Sequence, residues 1–182
     1  MNICVYGAAM EEIAGHYKEK TESFGELLAM RGHSLVYGGG AKGLMGAVAR
    51  GAKKQGGHIL GIAPSFFNVD GELFEDCDEF LYPDTMRERK KLLEEKSDAF
   101  VILPGGIGTF DEFFETLVLR SLGRLSDPIA LFNIDHYYDP LQQMMEHAVA
   151  SGFVAEDRME MYRIFDDEKE MLLYLEQEQP RT

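Results

Sequence analysis

The chain has no tryptophan and two cysteines among 182 residues, and basic residues are scarce, 18 Lys and Arg against 32 Asp and Glu. Each shortage excludes something. A formal charge of -14 opposes binding to a nucleic-acid backbone and makes a DNA-processing role the weakest reading. Cys4 and Cys77 stand too far apart for a metal knuckle or a redox pair. Cys4, inside an apolar run, is expected to be a buried core residue. The five histidines are scattered, so no metal site is expected. No window of about eighteen apolar residues exists, so no membrane span is expected. Met1 to Tyr6 lacks the charged and apolar regions of a signal peptide, so the chain reads as soluble and cytoplasmic. Nowhere does a glycine precede Lys-Ser or Lys-Thr at the spacing of a triphosphate-binding loop, which disfavours NTP hydrolysis.

What is present is alternation. Short apolar runs at 3–6, 34–37, 58–63, 80–82, 99–103 and 129–133 read as strands, with 163–165 as an edge strand. Between them lie helical patterns at 11–31, 43–55, 85–97, 109–122, 139–151 and 169–177. Residues 65–78 read as irregular and acidic. Strands alternating with helices imply an α/β fold, a Rossmann-like doubly wound parallel sheet with helices on both faces. No linker or repeat interrupts it, so one domain over 1–182 is expected. Ligands of such folds sit beyond the strand C-termini.

Two glycine loops fall at those ends. Gly38-Gly39-Gly40-Ala41-Lys42-Gly43 matches G-x-G-x-x-G, yet the next strand ends Gly61-Ile62-Ala63-Pro64 with no carboxylate to hold a ribose, which disfavours a dinucleotide. Tight packing and substrate contact remain equal readings of this loop. The second loop, Pro104-Gly105-Gly106-Ile107-Gly108-Thr109-Phe110-Asp111-Glu112, follows the run Ala99 to Leu103. Glycines at a strand-to-helix turn let backbone N–H groups approach an anion. Glu112 has a bland explanation, because Thr109 as N-cap with Glu112 three residues on forms a capping box. A cap alone does not require Gly105, Gly106 and Gly108 together, so Glu112 is a candidate catalytic carboxylate, with Asp111 a lesser one serving the helix dipole.

Arg87, Arg89, Lys90 and Lys91 crowd the first two turns of one helix. Arg89 precedes Leu92 and Leu93 by three and four residues and therefore lies over the apolar side. A guanidinium aimed inward needs an anion, either a phosphate or a carboxylate such as Glu112.

Three segments together resemble the lonely-guy family, phosphoribohydrolases of cytokinin riboside 5′-monophosphates long mislabelled as lysine decarboxylases. They are Pro104 to Glu112 (P-G-G-x-G-T-x-x-E), Met86-Arg87-Glu88-Arg89-Lys90 (M-x-x-R-K) and Tyr37 to Gly46. The segments Gly123 to Ile129 and Asn133 to Leu141 are also similar, and the likeness runs from about Ile3 to Phe153. It implies a homodimer that hydrolyses the N-glycosidic bond of a nucleoside 5′-monophosphate, without metal or organic cofactor. Arg89 and Glu112 are the implied catalytic pair. Gly105, Gly106, Gly108 and Thr109 are the implied phosphate cradle, and Gly39, Met86, Lys90 and Ile107 further substrate contacts. In the family the site lies near the dimer interface, so Arg89 is also a candidate for a neighbouring subunit's pocket.

The chain departs from the family pattern at Gly7-Ala8-Ala9, where Gly-Ser-Ser is usual, at Leu119-Arg120-Ser121 and at Asp127. These departures leave the base open: prenylated adenine, plain AMP or another purine. The competing reading is a non-catalytic nucleotide-binding or carrier protein, which needs the glycines but not the carboxylate. Amino-acid decarboxylation ranks third, since no cofactor-lysine motif is recognisable.

Overall fold

The computed structural model describes residues 1–67 and 71–178. Among the described residues, seven strands form one sheet: β1 (Asn2–Tyr6), β2 (Ser34–Tyr37), β3 (Ile59–Ile62), β4 (Glu79–Leu81), β5 (Ala99–Ile102), β6 (Ile129–Phe132) and β7 (Arg163–Phe165). Their order is β4-β3-β2-β1-β5-β6-β7, and every pairing is parallel. The connecting helices are α1 (Gly15–Met30), α2 (Gly43–Lys54), α3 (Met86–Glu95), α4 (Ile107–Ser121), α5 (Asp139–Ala150) and α6 (Glu168–Glu178).

Strand period sets the two cores. Ile3 and Val5 face one side of the sheet, packing with Phe24 and Leu28 of α1, Leu44 and Val48 of α2, and Met171 of α6. Cys4 and Tyr6 alternate to the other side, with Leu93 of α3, Phe113 and Leu117 of α4, and Met145 of α5. The apolar runs are continuous because the central strands are covered on both faces, which is the expected doubly wound arrangement. The chain winds outward one way from β1 through β2, then returns across the sheet to β5 on β1's other side. That reversal opens a crevice between β1 and β5 at their C-terminal ends.

Helices α1 and α2 cross with almost no space between them. A Cβ on Gly25 would lie 2.3 Å from the Val48 carbonyl oxygen, and one on Gly51 2.0 Å from that of Glu22. Small residues at this crossing let the two helices pack closely on one face of the sheet.

Several boundaries differ from the sequence reading. Helix α1 starts at Gly15 rather than residue 11, because Glu11 has other partners. Its carbonyl and carboxylate accept from Lys18 Nζ, and the carboxylate also accepts from the Gly43 N–H at 3.4 Å. Within the stretch expected to be irregular, Ser65–Phe67 form a single 3-10 turn and Leu73 bridges to Gly40; residues 68–70 lie outside the described residues. No helix of the described residues is long and apolar enough to cross a membrane.

Candidate functional site

The start of α4 is open. Strand β5 ends at Ile102 and the helix begins at Ile107, with Gly106 as an extended N-cap. The first intrahelical bond runs from the Phe110 N–H to the Gly106 carbonyl at 3.0 Å. Among the described residues, the N–H groups of Ile107, Gly108 and Thr109 have no acceptor, and the first turn carries no acidic residue. Unpaired donors at the positive end of a helix dipole favour an anion.

The capping box expected at Thr109 and Glu112 does not form. The glycine turn lets α4 begin two residues earlier, so Thr109 stands in the first turn, buried beneath Gly105. A Cβ on Gly105 would lie 2.1 Å from Thr109 Oγ1, so that close approach requires glycine. The capping box occurs instead at α3, where the Glu88 N–H donates to Thr85 Oγ1 at 3.2 Å and the Thr85 N–H to Glu88 Oε2 at 3.1 Å.

Freed from capping, Glu112 pairs with Arg89. Arg89 Nη1 donates to Glu112 Oε1 at 2.8 Å and its Nε to the Ile62 carbonyl at 3.1 Å. Both side chains are 12% exposed. Of the two anions open to Arg89 from sequence, the carboxylate of its own chain is the partner. Gly38 makes room for this arrangement, since a Cβ there would sit 2.2 Å from Arg89 Nη2. Burial raises the Glu112 carboxyl above its ordinary range; the charge and hydrogen bond of Arg89 pull it back only in part. Behind it, burial pushes the Cys4 thiol up to about 12, so this core cysteine is no nucleophile.

Around the pair lies a cavity of about 480 Å³ at the β1–β5 crevice. Its polar floor is Arg89, Lys90, Asp111, Glu112 and the α4 start, and its apolar wall is Met10, Met45, Phe67, Leu73 and Met86. Lys90 is neutralised by Asp111 at 3.1 Å and by Glu115, whose hydrogen bond raises the ammonium's pKa. Of the other residues expected here from sequence, Met86, Gly106, Ile107, Gly108 and Thr109 line the cavity. Gly39 and Gly105 stand outside the lining, Gly39 pressed against the Phe80 ring.

The first glycine loop divides between its two readings. Gly38 and Gly40 line the cavity. Gly43, with φ +57°, packs against Ala8–Met10, and the Ala8 carbonyl accepts the N–H groups of Leu44 and Met45 at 2.8 and 3.2 Å. The start of α2 is therefore closed by the chain itself, whereas α4 is open. Sequence reasoning missed Met10, Phe67 and Leu73, which lie on irregular segments without a periodic signal.

The family model described as "Possible lysine decarboxylase" matches residues 45–175. The chain is 35% identical over 178 residues to cytokinin riboside 5′-monophosphate phosphoribohydrolase LOG of Oryza sativa subsp. japonica, covering 98% of this chain and 74% of that one. It is 36% identical over 170 residues to the cytokinin riboside 5′-monophosphate phosphoribohydrolase of Mycobacterium tuberculosis, covering 93% and 90%. Among solved structures, the molybdenum cofactor carrier protein of Chlamydomonas reinhardtii superposes with a TM-score of 0.72 at 19% identity, covering 97% of this chain and 96% of that one. The last likeness shows the shared fold.

Proposed function

We propose an activity from one premise: the chain belongs to the lonely-guy family, the phosphoribohydrolases described by the possible lysine decarboxylase model. The chain hydrolyses the N-glycosidic bond of a purine nucleoside 5′-monophosphate, giving free base and ribose 5-phosphate. The observation that carries this reading is the juxtaposition of a buried Arg89–Glu112 pair and the open start of α4 in one cavity.

Each part answers a need of the reaction. The phosphate accepts from the N–H groups of the Gly106–Thr109 turn, and that remote binding energy fixes the anomeric carbon over the floor. As the bond to the base breaks, positive charge grows on the ribose ring, and the Glu112 carboxylate stabilises it or orients the incoming water. Arg89 favours the ionised form of Glu112 against the cost of its burial. As the C1′–N bond breaks, its electron pair leaves with the base; water adds its hydroxyl to C1′, and its other proton goes to the departing base. The apolar wall supports a purine carrying an apolar substituent, and the relatives are named for cytokinin riboside 5′-monophosphates.

A second copy of the chain completes the assembly we propose. Ile107, Val118 and Leu122 are exposed, and with half-buried Phe114 they form one stripe along α4, which begins in the cavity. A homodimer through this stripe brings the two sites close to the interface.

The test is incubation with AMP and, separately, isopentenyladenosine monophosphate, quantifying free base and ribose 5-phosphate by chromatography. Glu112→Gln is expected to slow release by about 100-fold or more, the scale of losing a preorganised transition-state contact. Saturable nucleotide binding with no base released would replace this reading with that of a binding or carrier protein.

A further inference from the structure

The segment Asn133 to Asp139 lies outside the cavity lining, yet it holds the glycine turn from beneath. Tyr138 Oη donates to the Leu103 carbonyl at 2.6 Å, and Tyr137 Oη to the Gly105 carbonyl at 2.6 Å. Between them the Pro104 carbonyl accepts from the Ala8 N–H at 3.1 Å, and the Gly106 carbonyl accepts from Phe110. Four consecutive carbonyls are thus each committed to a donor. In a trans peptide the C=O of one residue and the N–H of the next point in opposite directions. Holding the Gly105 carbonyl therefore aims the Gly106 N–H the other way.

That peptide joins two glycines, the residues with the least intrinsic resistance to reorientation. Without a restraint it can rotate and turn its carbonyl, a partial negative charge, to where its N–H had pointed. The restraint is itself held under strain. Asp135 and His136 both have positive φ, 51° and 59°, a conformation in which a residue with a Cβ is strained. The turn is fixed by Asn133, whose amide donates to Asp139 and Asp166 at 2.9 Å and whose oxygen accepts the Tyr138 N–H at 2.7 Å. Two consecutive left-handed residues deliver two adjacent tyrosines to two carbonyls of one turn. Strain retained at such a place has a purpose to look for.

We infer that Tyr137 is a positioning residue for phosphate recognition: its hydroxyl locks the Gly105–Gly106 peptide with the N–H group directed at the phosphate. This rests on the proposal that the phosphate binds at the start of α4. Tyr137 is partly exposed and its ring meets Tyr138 edge-on at 5.1 Å, so Tyr137→Phe removes the hydroxyl and leaves the packing. Tyr137 touches the substrate only through the turn. Its loss should therefore appear in recognition of the phosphate alone.

The experiment is calorimetric titration of AMP and adenosine into the wild type, Tyr137→Phe and Gly108→Val, with steady-state kinetics on AMP. In Tyr137→Phe the affinity for AMP falls about tenfold, the scale of one charge-assisted hydrogen bond. Adenosine affinity stays as in the wild type, KM for AMP rises, and kcat changes by less than about threefold, within 1 kcal/mol. Unchanged AMP affinity in Tyr137→Phe, or equal losses for AMP and adenosine, overturns the inference while leaving the phosphate site standing. If Gly108→Val binds AMP as the wild type does, the phosphate is not at α4, and both readings fall.

Discussion

Replacing Arg89 by methionine strands a buried carboxylate, and the size of the effect can be worked out. Arg89 is the hydrogen-bonding partner of a Glu112 side chain that is only 12% exposed. Breaking a buried ion pair from one side is worth about 3–5 kcal/mol if the remaining charge has no escape. Glu112 has one, since it can take up a proton. Protonating a glutamate above its ordinary value of 4.5 costs about 1.4 kcal/mol per pH unit, which caps the penalty at about 3.4 kcal/mol at pH 7 and about 0.7 at pH 5. Burial already raises Glu112 in the wild type, so part of that ceiling is in place before the substitution. The expected loss is about 2–3 kcal/mol at pH 7 and under about 1 at pH 5. The sign follows from the raised carboxyl. Stability contributed by a raised group is present below its unfolded value and lost as pH rises through the folded one, and removing Arg89 pushes the folded value higher still. Urea denaturation followed by far-ultraviolet circular dichroism suits a chain without tryptophan, comparing variant with wild type at each pH. A deficit equal at pH 5 and pH 7 would refute the reasoning, since it would mean that no charge is stranded. The double variant Arg89→Met with Glu112→Gln should recover most of the loss at pH 7.

Other expectations follow from the same geometry. A Cβ on Gly108 meets open space, so Gly108→Ala should leave the melting temperature unchanged or slightly raised, given the better helix propensity of alanine, while weakening AMP binding by crowding the α4 N–H groups; a calorimetric melt and a titration check the two halves. Gly51→Ala should cost about 1–3 kcal/mol by forcing α1 from α2, read from urea midpoints. If the proposed homodimer forms through the α4 stripe, Val118→Asp should convert it to monomer in sedimentation velocity, because a charge placed in an apolar contact lacks a partner. The acid limb of kcat/KM should lie above the ordinary glutamate value of 4.5, since activity is lost as pH falls through the raised value of Glu112; a pH profile with its limb at or below that value would contradict a buried, ionised Glu112.

The candidate pair was largely legible in the chain. Arg89 lies over the apolar side of its helix in an acidic protein, and an inward guanidinium needs an anion; Glu112 supplies it. The local meaning of Thr109 was not legible. Thr85 and Thr109 are each followed three residues later by a glutamate, and both match a capping box equally well on paper. Only at Thr85 does the box form, because the glycine turn moved the start of α4 forward and left Glu112 free. The first glycine loop was ambiguous for a similar reason. Whether a helix start is open depends on what another segment brings to it, and the Ala8 carbonyl closes α2.

Residue order by itself determined the alternation of strand and helix, the doubly covered sheet and the two glycine turns at strand ends. These rest on periodicity and on local conformational limits, which act over a few residues. Tertiary structure alone decided that Arg89 and Glu112 meet at 2.8 Å, that α4 and not α2 presents free N–H groups, and that Tyr137 and Tyr138 reach back to the carbonyls of Gly105 and Leu103. Each of these contacts joins residues more than twenty positions apart or depends on such a contact elsewhere. Their partners are chosen by the winding of the sheet, which no local pattern encodes.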